Sequence, residues 1–333
     1  MTGTGNNVPI LKWLYSDEIQ CYSCSIVSDK IPCSKCITYD LYNVCRSAAE
    51  SNSRSVLKWA VGRGYQLDSD HLNCAIIHGH LTLVRWMHEE HLVPFYCPPT
   101  YFAAQSGNLS LLQYVVKKGA KIDNDDILVS AARSGSKEMI QWLHDECGLK
   151  WYAGVCSMAA KNGHLSLLQY LRSQGCEWGN NTTQQAAEKG HLSVLQWAIE
   201  NGCPFDLEYD MLGEIIEAGH LDVFQFLHQR DLVWLVNGIQ ENDFIERAAD
   251  QGHLSMVKFL YPILKQTRNQ IEILYVAIYC QKPIALEMVQ WLIEQCTCSL
   301  PLNDSSFINE RENIRLDVAK YLEEIGLMKK RKE

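Results

Sequence analysis

No apolar run in the 333 residues is longer than eight, the longest being Ile273 to Cys280, whereas a membrane-crossing helix needs roughly 18–20. The expectation is a protein without a membrane span. The start of the chain has no basic region, and its apolar stretch Val8–Leu14 is short and broken by Lys12. No secretory signal peptide is therefore expected. Basic residues are outnumbered: 30 Lys and Arg stand against 39 Asp and Glu, a net charge of −9 that becomes −12 without the tail Lys329–Glu333. That is the wrong sign for gripping phosphate backbones and argues against a nucleic-acid partner. In the absence of a secretory signal, the fourteen cysteines read as reduced thiols or metal ligands of a cytoplasmic protein, not as a disulfide framework.

Catalytic signatures are missing as well. There is no P-loop and no Gly-x-Ser-x-Gly elbow. Gly3-x-Gly5 and Gly62-x-Gly64 lack the third glycine and the strand of a dinucleotide site. His88-Glu-Glu-His91 spaces its histidines three apart, where the zincin box needs four. The expectation is a protein that is not an enzyme.

What the chain does have is ample core material, 47% hydrophobic residues with 10% aromatic, and an internal repeat. Ala103-Ala104-x-x-Gly107-Asn-Leu-Ser-Leu-Leu-Gln-Tyr114 recurs as Ala159-Ala160-x-x-Gly163-His-Leu-Ser-Leu-Leu-Gln-Tyr170 and as Ala186-Ala187-x-x-Gly190-His-Leu-Ser-Val-Leu-Gln-Trp197. With the glycine as anchor, the series runs through Asn52, Gly79, Gly107, Gly135, Gly163, Gly190, Gly219 and Gly252, at spacings of 27 to 29 and finally 33. Degenerate copies anchored at Ile284 and Ile314 follow, and a partial copy, Asn6 to Leu14, precedes them, making eleven. Seven residues after each anchor stands an aromatic, from Trp13 and Trp59 to Trp291 and Tyr321. Offsets 4, 5, 7 and 8 are apolar and share one face of a 3.6-residue helix. The spacing predicts a helix of about ten residues after each anchor and a second short helix ending in the Ala-Ala pair before it. Each anchor glycine is expected at a left-handed helix end, as are Gly64, Gly119, Gly175, Gly202 and Gly326 about twelve residues on. A copy of 28 residues cannot bury its own apolar face, so neighbours must stack. The aromatic column is read as packing between copies. The histidine column (His80, His164, His191, His220, His253) is read as hydrogen-bonding in the turn, because rings about 8–10 Å apart cannot share a metal.

The pattern Ala-Ala-x-x-Gly-His-Leu-x-x-(Leu/Val)-x-x-Leu, then Gly-Cys or Gly-Ala and a loop aspartate, resembles the second half of the ankyrin repeat. The wording Gly190-His-Leu-Ser-Val-Leu-Gln-Trp197 and the loop Gly202-Cys203-Pro204-Phe205-Asp206 are similar to divergent ankyrin repeats of amoeba-infecting large DNA viruses and protists. The resemblance covers residues 5 to about 326. It departs from the family in lacking the Thr-Pro-Leu-His opening and in its period of about 28 in place of roughly 33. The resemblance implies an all-α, ankyrin-like helix-turn-helix solenoid with its finger loops shortened. It also implies a monomeric scaffold that binds another protein along its loop and first-helix face, in the host cytoplasm if viral. The alternative in another class is a substrate-recruiting subunit of a ubiquitin ligase, although no F-box-like segment is evident in Ile308–Glu333 or at the start.

One segment is not repeat. The anchors Asn6 and Asn52 are 46 residues apart, 18 more than the period, and the excess holds Cys21-x-x-Cys24 and Cys33-x-x-Cys36. Two such knuckles have the form of a structural Cys₄ zinc site. Plain reduced thiols and redox disulfides are the other readings, and Cys45 and Cys97 are spare thiols without the spacing. The organisation that follows is a partial copy over 1–14, a Cys-rich insertion over 15–40, a repeat array over 41–326 and a basic tail over 327–333. Within the tail, Lys329-Lys-Arg-Lys332 is either a nuclear signal or a solvated end.

The loops after the second helices carry an apolar residue (Leu67, Ile122, Trp178, Phe205) expected to tuck into the stack. Beyond it they turn acidic: Asp68 and Asp70; Asp123, Asp125 and Asp126; Asp206, Glu208 and Asp210. Tyr96, Tyr152 and Tyr209 stand at comparable positions. Aligned by stacking, these groups form an acidic edge with tyrosine anchors for a basic or mixed partner surface. The competing reading is that the aspartates only cap the helices that follow them.

Overall fold

The structure, a computed structural model, describes residues 34–96, 98–122, 125–206, 209–230, 242–264, 270–295 and 313–327. Among the described residues nineteen α-helices follow one another as nine sequential pairs and a final single helix, and there is no strand. First helices are α1 Ser34–Glu50, α3 Ser69–Ile77, α5 Pro99–Gln105, α7 Asp125–Ser134, α9 Ala153–Lys161, α11 Thr182–Glu188, α13 Tyr209–Glu217, α15 Asn242–Asp250 and α17 Gln270–Tyr279. Their second helices are α2 Arg54–Val61, α4 Leu81–Arg85, α6 Leu109–Lys117, α8 Lys137–Asp145, α10 Leu165–Ser173, α12 Leu192–Glu200, α14 Leu221–Gln229, α16 Leu254–Leu264 and α18 Ala285–Gln295, with α19 Leu316–Glu324 in the last copy. No helix among the described residues is long and apolar enough to cross a membrane.

The anchor rule holds in three dimensions. The seven anchor glycines, from Gly79 to Gly252, lie at φ between 73° and 79°, and Asn52 occupies the same left-handed turn at φ 56°. Apart from α18, each of the described second helices begins two residues after its anchor. The copy anchored at Gly79 departs from the pattern at the end of its second helix. Here α4 runs into a π-helical turn, Trp86–Glu90, and its end is formed by Leu92 at φ 52° with no glycine available.

The chain divides into two units, residues 1–159 with 166–177 and residues 160–165 with 178–333. Within the first, successive first helices pack side by side (α1 on α3, α3 on α5, α5 on α7). Ala48-Ala49, Ala103-Ala104 and Ala131-Ala132 are buried where the backbones come close. Leu57, Leu72, Leu111, Leu112, Leu128, Ile140 and Leu143 fill the space between the helix layers with no exposure. The second unit repeats the plan with α11 on α13, α13 on α15 and α15 on α17, over Leu195, Leu212, Ile215, Leu227, Leu274 and Met288.

The aromatic column packs between copies, as its periodicity predicts, but it is not all interior. Trp86, Tyr114 and Phe226 are buried, while Trp59, Trp142, Tyr170, Trp197 and Trp291 are half-buried. Cations of the preceding copy lie over four of these rings, buried and half-buried alike. Arg54 lies 5.2 Å over Trp86, Arg85 5.2 Å over Tyr114, Lys137 4.6 Å over Tyr170 and Lys258 5.8 Å over Trp291. A desolvated aliphatic stem with a charge on the ring quadrupole suits a position half in water. Leu67, Ile122, Trp178 and Phe205 are likewise only half-buried.

Candidate functional site

Three histidines of the column, His80, His191 and His253, hydrogen-bond to the preceding copy. His80 Nε2–H donates to the Glu50 carbonyl at 2.8 Å, His191 to that of Lys161 at 3.0 Å and His253 to that of Glu217 at 2.8 Å. Glu50, Lys161 and Glu217 are the last residues of α1, α9 and α13, where helix carbonyls have no partner of their own. Each imidazole therefore completes the first helix of the copy before it. Where asparagine replaces histidine, Asn108 Nδ2 donates to the Gly79 carbonyl at 2.9 Å while its Oδ1 caps the Leu111 amide at 3.1 Å. The rings lie directly against the anchors. A Cβ on Gly163 would stand 2.7 Å from His191 Nδ1, one on Gly190 2.4 Å from His220 Nδ1 and one on Gly219 2.6 Å from His253 Nδ1. Anchor glycine and following histidine are thus one interlocking joint across the copy boundary.

His88 and His144 play a different part. His88 Nδ1–H donates to the Val93 carbonyl at 2.9 Å with its ring 4.2 Å from Phe95. His144 does the same to the Leu149 carbonyl at 2.7 Å and Trp151 at 4.2 Å. Both brace the loop after a second helix, and His91 packs edge-on against Trp86. No group of three or more His, Cys, Asp or Glu side chains among the described residues is placed to hold a metal. Cys21, Cys24 and Cys33 lie outside the described residues. Cys36 falls in the first turn of α1, which begins inside the range read as the insertion. Cys45 is fully buried, and burial with Asp68 nearby pushes its thiol up to about 12, so it offers no thiolate. Cys97 is also outside the described residues.

The loop carboxylates and tyrosines divide by role. Asp68 is the N-cap of α3 and accepts the Asp70 and His71 amides at 3.0 and 3.2 Å. Its Oδ1 also takes the Nδ1–H of His71 at 2.5 Å. His71 is fully buried, and its Nε2 lies 3.3 Å from the Tyr65 hydroxyl. This Tyr–His–Asp chain superficially resembles a catalytic relay, but burial, then the neighbouring Cys45 and Asp68, raises the Tyr65 phenol to about 12. It keeps its proton, and the chain acts as a brace for the turn. Asp70 is exposed and accepts the Tyr42 hydroxyl of α1 at 3.2 Å. Tyr96 is 83% exposed. Tyr152 is half-buried, its ring leaving no room for a Cβ on Gly154. In the second unit Asp206 and Asp210 are exposed, Asp210 in the first turn of α13. Asp125 and Tyr209 begin α7 and α13, while Asp123 and Glu208 lie outside the described residues.

Sequence reading missed Tyr42, Tyr65 and His71. Tyr42 stands ten residues before its anchor and Asp70 nine before the next, so the stacking of consecutive first helices is the signal that pairs them.

No family model matches the chain, and no curated protein matches it.

Proposed function

We propose that this chain is a non-enzymatic interaction scaffold, an ankyrin-type solenoid that binds a partner protein along its loop and first-helix face. The observation that supports this most is the interlocking joint. A histidine or asparagine after the anchor bonds back to the preceding copy at His80, Asn108, His191 and His253, which supports a regular spacing of equivalent loops within each unit, as an extended binding edge requires. Of the loop residues assigned to that face, Asp68, Asp70, Tyr96 and Asp126 are exposed in the first unit, and Asp206 and Asp210 in the second. Asp68 supports the capping reading for its own position. A row of exposed carboxylates with tyrosine anchors favours a partner with a basic or mixed surface. The Cys-rich insertion, by its spacing, is proposed to hold one structural zinc through Cys21, Cys24, Cys33 and Cys36.

Two measurements test the scaffold reading. Solution scattering of the purified chain should give the large radius of gyration of an elongated particle, and a value near the globular expectation for 333 residues would end the solenoid proposal. Proximity labelling in the native cell, followed by capture with the purified chain, should return a protein partner whose binding weakens with salt.

A further inference from the structure

The position seven residues before an anchor reaches the loop that follows the second helix of the same copy. Thr100 Oγ1 donates to the Lys121 carbonyl at 3.1 Å and Thr183 Oγ1 to the Pro204 carbonyl at 2.7 Å. In the copy anchored at Gly163 this position is Cys156, and the loop residue it meets, just past Gly175, is Cys176. The two sulfurs are 3.0 Å apart, about 1 Å longer than an S–S bond of roughly 2.0 Å. Both are reduced thiols and both are buried, at 0% and 2% exposure. No other copy has cysteine in both columns: Cys45 faces the Tyr65 position and Cys203 the Thr183 position.

We propose that Cys156 and Cys176 are an oxidative modification site, converted by hydrogen peroxide to a disulfide that staples the two helices of this copy. Backbone and charge prepare the loop side of the pair. Cys176 N–H donates to the Leu171 carbonyl at 3.0 Å, and the Arg172 guanidinium donates to the Cys176 carbonyl. The hydrogen bond from Cys156, with the Arg172 charge behind it, draws the Cys176 thiol down against the opposing effect of burial. A thiolate is the nucleophile in such chemistry. Cys176 sulfur attacks peroxide, the O–O bond breaks, and a sulfenic acid and one water result. Cys156 sulfur then gives up its proton and attacks the Cys176 sulfur, the S–O bond breaks, and the second water leaves. Two thiols and one peroxide become one disulfide and two waters, with the peroxide taking both electrons. Because the site is closed, the oxidant must be small, and the staple closes a loop of only 20 residues in sequence. This inference stands whether or not the scaffold reading does.

The test treats the full chain with limiting hydrogen peroxide and maps peptides without reduction. The expected result is a linked pair containing Cys156 and Cys176, two hydrogens lighter than the separate peptides. A rise in melting temperature of a few degrees should accompany it and be reversed by dithiothreitol. Cys156→Ser and Cys176→Ser should abolish both the link and the rise, while Cys203→Ser should keep them. Should a serine variant fail to fold, the map of the unsubstituted chain decides alone. Recovery of Cys156 and Cys176 as unlinked, alkylatable thiols under conditions that oxidise the half-exposed Cys147 would overturn the proposal, as would links from either to a different cysteine.

Discussion

Replacing one anchor glycine by alanine separates backbone strain from the joint between copies. Gly219 and Gly202 both lie in the second unit at nearly the same φ, 75° and 77°. Alanine in the left-handed region costs about 1–2 kcal/mol at either site. At Gly202 the new Cβ meets nothing within 4 Å, whereas at Gly219 it would lie 2.6 Å from His253 Nδ1 and Cε1. The imidazole must move, and its 2.8 Å bond to the Glu217 carbonyl is strained or lost, about 0.5–1.5 kcal/mol more. Gly219→Ala should therefore lower stability by about 1.5–3.5 kcal/mol and Gly202→Ala by about 1–2 kcal/mol. Urea unfolding followed by circular dichroism reads the difference, with midpoints compared directly because repeat arrays need not unfold in one step. In a His253→Ala background the extra cost of Gly219→Ala should vanish, leaving only the strain. Equal losses at Gly202 and Gly219, or an extra cost that survives removal of His253, would refute the interlock.

Protein purified without chelator should carry about one zinc per chain; Cys24→Ser with Cys33→Ser should remove the metal and leave most helicity, and gently prepared wild-type protein free of zinc would end that proposal. Changing Asp123, Asp125, Asp206 and Asp210 together to Asn should leave the melting temperature nearly unchanged, since Asn caps about as well as Asp, while weakening partner capture at low salt; unchanged capture moves the binding face elsewhere. Burial, reinforced by His191 and His253 and opposed by Asp222 and the Glu188 carbonyl, holds the His220 pKa below its ordinary 6.5. The unfolded chain then binds the proton more readily, so this contribution is present above about pH 6.5 and is lost as pH falls toward the depressed folded value. The urea midpoint should drop less between pH 7.5 and pH 5.5 in His220→Asn than in wild type, and an identical drop in both would show that His220 contributes nothing.

The helix pairs and their ends were legible in the residues alone because they depend on local physics. A 3.6-residue apolar pattern fixes Leu167, Leu168 and Leu171 on one buried face, and only glycine, or asparagine at position 52, adopts the left-handed turn between helices without strain. The roles of polar side chains were not legible, because each depends on which copy a side chain reaches. His191 could serve its own turn or the helix end 30 residues earlier, and only the stacking distance selects the Lys161 carbonyl. Asp68 and Asp70 are two residues apart and equally acidic in sequence, yet the fold buries His71 beneath one as a cap partner and brings Tyr42 of the neighbouring first helix to the other. Cys156 and Cys176 look like two of fourteen thiols until the helix pair closes and sets their sulfurs in contact. Periodicity determines the elements and which face each buries. Contacts between side chains 20 to 36 residues apart exist only once those faces have packed.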